Sequence, residues 1–306
     1  MRKFFSGLGR ILVFPFRLAF NIIAFPFRAI SRFHKFLNTE PDERPIGDVL
    51  VDMVSSRDTR ELFWEQLAAL RAHLLRSVSV LAAAVIAAFW VAEPVMEFLA
   101  DPAGGLANLQ AIQVTEEIGV FMRVAMSVGI AAAFPYIALE LWLFAAPGLK
   151  PREKKLGLVG IPLATLLFVT GIVFTYFVLL PAALPFLGGF TEIAQLWTAH
   201  EYFAFVTGLM LWIGVFFEFP LVIYILTAIG LIQPSVLAQQ WRLAVVIIAL
   251  LAAAVTPTVD PVNMGLVMLP MILLYFISIG LSHLAYAGRI KRSAEAQENA
   301  QDGGAG

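Results

Sequence analysis

The sequence predicts an all-α polytopic membrane protein of six transmembrane helices, with both termini cytoplasmic and an N-terminal amphipathic extension. Apolar residues make up 60% of its 306 positions and charged residues only 14%, with a mean hydropathy of +0.83. Soluble globular domains carry about a quarter charged residues. Apolar runs recur at the length, about 20 residues, that crosses roughly 30 Å of hydrocarbon. Lys and Arg are confined almost entirely to alternate connections between those runs, as expected of cytoplasmic loops.

Composition also excludes functions. Twenty-one Lys and Arg against 22 Asp and Glu leave a formal charge of −1, which removes any global electrostatic case for binding nucleic acid. There are no cysteines, so disulfides, iron–sulfur clusters and thiolate metal sites are out. The histidines, His34, His73, His200 and His283, are scattered without ligand spacing. Neither a metal nor a cofactor is expected.

Residues 1–39 hold seven basic residues and no acid, and Phe14-Pro15-Phe16-Arg17 recurs as Phe25-Pro26-Phe27-Arg28. Bulky apolar groups interrupted by Arg and Pro suit short helices lying on an anionic membrane surface. Residues 40–61, polar and carrying Pro41 and Pro45, read as a linker. The segment around Leu67, Leu70, Leu74 and Leu75 is an amphipathic helix feeding the first span, with Glu65 toward another face. The expected spans, within a domain covering 62–287, are Leu74–Ala92, Ile118–Ala145, Leu156–Leu184, Tyr202–Leu231, Leu243–Val255 and Val262–Ala287. The fifth is short for a lone crossing, so either the bilayer thins there or the last two spans form a hairpin that stops short. Pro257 and Pro261 bracket Asp260 in what reads as a tight turn. Residues 288–306 are expected to form a disordered cytoplasmic tail.

The orientation follows from charge. Residues 1–76 carry twelve Lys and Arg, and the rest fall at Lys150, Arg152, Lys154 and Lys155, at Arg242, and at Arg289, Lys291 and Arg292, leaving Arg123 alone. The intervening connections carry only acids. Positive charge stays inside, so both ends are expected in the cytoplasm of a plasma-membrane protein.

Arg123, Glu140 and Glu218 are ionisable groups within spans, where such groups are costly and point to function. Arg123 and Glu140 lie near opposite ends of the second span and are expected to reach the interfaces. Glu218 is mid-span, within Phe216-Phe217-Glu218-Phe219-Pro220. A carboxyl there is expected to be protonated or hydrogen-bonded, facing substrate, proton or partner helix. A secondary transporter using Glu218 is the alternative reading, although no repeated half is found. No nucleophile with its base is evident, so no enzyme is expected.

At these residues the sequence resembles the TatC family, the receptor subunit of twin-arginine protein translocases. The most specific block runs from Pro135 through Glu140-Leu141-Trp142-Leu143-Phe144-Ala145-Ala146-Pro147-Gly148-Leu149 to Pro151-Arg152-Glu153-Lys154. Leu67–Leu75, Phe217-Glu218-Phe219-Pro220 and Thr256–Pro261 follow in the family's order. The resemblance implies a non-enzymatic receptor that binds twin-arginine signal peptides of folded cargo and assembles with single-span TatA/TatB-type subunits. Proton-motive-force-driven export, self-association and contact with lipid are also implied. Glu153 matches one of two family glutamates that hold the arginine pair. The other falls on Ala69, for which Glu65, one turn earlier, is the candidate substitute; Arg71 is the third candidate contact. Glu218 is the candidate partner-subunit contact, and Pro94, Glu140, Trp142, Phe144, Pro147 and Asp260 are candidates for structural or functional roles. The sequence departs from the family at Gln66, where a His is usual, at Glu140, where a Gln is usual, and at Phe276, where a Glu is usual.

Overall fold

A computed structural model describes residues 57–149, 151–189, 197–256 and 261–302. The surface-helix reading of residues 1–39, most of the linker, and the Asp260 turn lie outside the described residues. The described chain is helical, and five of its helical stretches are long and apolar enough to cross a membrane, with a shorter apolar sixth.

Helix α1, Arg57–Ala88, is a single rod of 32 residues. It joins the end of the expected linker, the amphipathic segment and the first span without a break. Leu67, Leu70, Leu74 and Leu75 share an exposed face, as their spacing predicts. The span stops at Ala88 rather than Ala92, because the chain turns at Phe89–Val91. The following connection, expected as a loop, begins with helix α2, Ala92–Ala100. Pro94 fits its first turn, where a missing N–H costs nothing because those donors lack intrahelical partners.

Helix α3, Glu116–Ala145, runs back along α1. The two approach closely at Gly129, where a Cβ would stand 2.6 Å from the Val85 Cα. Small residues are how helices reach such distances in lipid, where dispersion rather than water exclusion drives packing. After a 3₁₀ turn at Ala146–Gly148, α4, Pro151–Phe174, carries the third span. It passes through a π turn, Thr175–Leu179, into α5, Leu180–Gly189. Pro181 supplies the cause: it has no N–H for residue 177, and the backbone widens so that Leu180 N–H bonds Thr175 O, five residues back.

The fourth span is also broken. Helix α6, Ala199–Phe217, ends at Glu218, and α7, Phe219–Ala228, restarts beyond it, with Pro220 removing a ladder donor. Then come α8, Pro234–Gln239, and α9, Trp241–Val255, which at about 22 Å is short for a lone crossing. Helix α10, Pro261–Asp302, closes the bundle. Its backbone stays helical through Ser293–Asp302, where a disordered tail was expected. Residues such as Ala294, Glu295, Ala296 and Gln297 favour helix, and a packed helix already in place removes the nucleation cost.

The core gathers around α6. Tyr202, Phe203, Val206, Leu209 and Ile213 are essentially inaccessible and pack with Val120 and Val124 of α3, Leu180 of α5, and Val267 and Met271 of α10. A Cβ at Gly171 would stand 2.8 Å from the Gly214 Cα, so α4 and α6 meet almost backbone to backbone.

Candidate functional site

The candidate site forms at the end of the bundle that carries the 146–155 turn. The last turns of α3 and the first turns of α4 are pinned there by Trp142. It is buried and packs with Ala146, Leu139, Leu143, Leu158 and Ile161. A Cβ at Gly157 would overlap its indole, so glycine is required at that crossing. Pro147 sits exposed in the 3₁₀ turn, and Glu153 is half-buried in the first turn of α4. Lys154 beside it is buried.

Glu140, expected to reach the interface, is covered by protein instead. It is 3% exposed, and its carboxylate gathers side chains from two helices. Tyr136, one turn earlier on α3, donates its hydroxyl to Oε1 at 2.6 Å. From α1, His73 Nδ1 lies 2.6 Å from Oε2 and Arg76 Nη2 lies 3.2 Å from the same oxygen. Arg76 Nη2 is also 2.9 Å from His73 Nδ1. Both contacts of that ring nitrogen cannot be hydrogen bonds, since Nδ1–H either donates or, unprotonated, accepts. The shorter distance, to a carboxylate, assigns the proton to Nδ1 and the bond to Glu140. Phe144 closes the cluster with its ring edge-on to His73, centroids 6.0 Å apart. The paired charges explain why a carboxylate is tolerated at this depth.

The other predicted residues are dispersed. Arg71 is exposed on α1, two turns or less from His73 and Arg76. Glu65 stands on α1, and its side chain lies outside the described residues. Glu218 occupies the break between α6 and α7, half-buried among Phe216, Phe217 and Phe219, with Oε1 buried and without a hydrogen-bond partner among the described residues. Pro94 is exposed on α2 at the opposite end, and Arg123 is exposed on α3.

Sequence reasoning missed His73, Arg76 and Tyr136. The spacings Tyr136–Glu140 and His73–Arg76 each place two polar groups on one helix face. What joins the two pairs is a contact across 67 residues, set by the α1–α3 register. It also missed Glu116 at the far end. That carboxylate accepts from the backbone N–H groups of Ile112 at 2.8 Å, Gln113 at 3.2 Å and His200 at 2.8 Å. It thereby ties the connection after α2 to the start of α6. Thr198 caps the same helix, accepting from Glu201 N–H. Tyr176 and Tyr202 donate to the carbonyls of Phe98 and Leu99, anchoring α2.

Comparison with known proteins places this arrangement in context. The family described as Sec-independent protein translocase protein (TatC) matches residues 65–270. The chain is 33% identical over 226 residues to the Sec-independent protein translocase protein TatC of Halalkalibacterium halodurans, covering 72% of this chain and 89% of that protein. With TatCy of Bacillus subtilis it shares 34% identity over 235 residues, 75% of this chain and 92% of the relative. A crystal structure of the twin arginine translocase receptor TatC superposes with a TM-score of 0.66 at 34% identity, covering 72% of this chain and 99% of that one.

Proposed function

Because the chain belongs to the TatC family of Sec-independent protein translocase proteins, we propose that it is the receptor subunit of a twin-arginine translocase in the plasma membrane. In this reading it binds the twin-arginine signal peptides of folded proteins and is not a catalyst. The observation that carries the reading is the match to a solved twin-arginine receptor across 99% of that receptor's length. The relatives named above are translocase proteins, which leaves the transporter alternative without support.

The 146–155 turn is then cytoplasmic, as the charge partition requires, and Glu153 receives a signal arginine there. A guanidinium presents a planar fork to a carboxylate, which an ammonium cannot reproduce. Two adjacent arginines therefore favour two acids. Arg71 borders the site on α1, and Glu65 lies one turn before Ala69 on the same helix. Glu218, with a buried and unpaired oxygen, is the docking point for a polar residue on a single-span partner, and receptors self-associate in the assembled complex.

The test compares signal peptides on the purified protein in lipid nanodiscs. Glu153→Gln weakens an Arg-Arg peptide by about 10- to 150-fold, the equivalent of about 1.5 to 3 kcal/mol for a charge-assisted bond. A Lys-Lys peptide, weak already, loses far less. Equal losses for both peptides would point to a folding defect and overturn the role of Glu153.

A further inference from the structure

We infer that Glu140 is the second carboxylate of the signal-peptide site and that Arg76 is its resident occupant, which an incoming signal arginine displaces. The inference rests on the receptor reading above and goes beyond it in naming the acid and the exchange.

The geometry separates the three partners of Glu140 into two kinds. Tyr136 and His73 bond it at 2.6 Å, one to each oxygen. Both are partly or largely covered, and they fix the carboxylate in place. Arg76 is different. Its side chain is 51% exposed, and it reaches the carboxylate through one nitrogen at 3.2 Å. Charge-assisted N–H···O bonds run nearer 2.7 to 2.9 Å, and a guanidinium does best with two parallel bonds. The same nitrogen lies 2.9 Å from His73 Nδ1, which has no lone pair to offer once its proton goes to Glu140. Arg76 is thus a single-point partner in a poor position.

A carboxylate has about four acceptor sites. Tyr136 and His73 use one on each oxygen, so one on each remains for a two-pronged donor. An arginine arriving from outside can take both, and Arg76 can swing to solvent without opening the core. The surroundings are already arranged, which lowers the cost of binding. The location also fits. Trp142, two residues beyond Glu140, packs on Gly157, one turn beyond Glu153 in α4. The two carboxylates therefore flank the same α3–α4 corner.

Competition between Arg76 and the peptide gives the test its sign. Affinities are measured on the full-length protein in nanodiscs for synthetic signal peptides bearing Arg-Arg, Lys-Arg, Arg-Lys and Lys-Lys. Arg76→Ala should tighten Arg-Arg binding, by about two- to fivefold, since a single-point ion pair is removed as competitor. Glu140→Gln should weaken it about tenfold and erase the preference for Arg over Lys at one of the two positions only. In the double variant, Arg76→Ala should no longer tighten binding. Weaker or unchanged binding in Arg76→Ala overturns the inference, and this arm stands even if Glu140→Gln folds poorly. So does an equal loss of all four peptides in Glu140→Gln, or a loss of discrimination in Glu65→Gln with none in Glu140→Gln. The receptor reading fails separately, if the wild-type protein does not distinguish Arg-Arg from Lys-Lys or if Glu153→Gln changes nothing.

Discussion

Two buried carboxylates, at opposite ends of the same helix, are held in opposite ways. Glu116 opens α3 and accepts three backbone N–H groups from two separate segments. Glu140, near the other end, accepts only from side chains: a tyrosine, a histidine and an arginine. Backbone donors cannot rotate away, so the Glu116 end is fixed. Side chains have rotamers, and one at Glu140 already reaches into solvent. One end of the bundle is built to hold shape, the other to exchange partners.

The comparison is sharpest if the two ends face different compartments. A reporter active only outside the cell, fused at Gly288, should be silent, because the end that carries Glu140 and Glu153 is also the end with the basic loop. Strong activity would reverse the assignment of the two ends.

A smaller effect tests the fixed end. Glu116→Ala strands three donors, and amide exchange at Ile112, Gln113 and His200 should rise by about tenfold or more, the worth of one charge-assisted bond. Exchange should change little near Tyr136. Spread of the effect to that end would show that the two carboxylates form one cooperative unit.

The smallest effect belongs to Glu218, between the ends. Polar contacts between helices in membranes average about 0.6 kcal/mol, about threefold in affinity. Glu218→Ala should lose that much crosslinking from Phe217 to a partner span while keeping signal-peptide binding. Glu218→Gln, which still donates and accepts, should keep both. Unchanged crosslinks in Glu218→Ala would leave this residue without a docking role.

Helix type and the number of spans were legible because both depend on local sums of apolar run length, whereas the breaks at Pro181 and Pro220 fall inside spans that read as continuous. The helical end of the tail was not, since composition gives propensity but not the packed helix that propagates into it. At the candidate site, Glu153 and Trp142 could be picked out from their motif. The burial of Glu140 could not, because it depends on which turn of α1 lies opposite, and that register is set by the fit of Val85 against Gly129. Nor could the role of Glu116, since its donors are backbone groups that no side-chain identity announces.

The contact of Val85 with Gly129 has a mechanical meaning. Helix α1 is a continuous rod, lightly covered along its length, and at Val85 it lies directly against the α3 backbone. His73 is twelve residues away, an arm of about 18 Å. A tilt of only about 3° about that fulcrum would carry the His73 ring about 1 Å, enough to stretch its 2.6 Å contact with Glu140 beyond hydrogen-bonding range. The rod therefore works as a lever with a chemical catch near one end. So long as His73 stays on Glu140, α1 is held to within a few degrees of this tilt against α3.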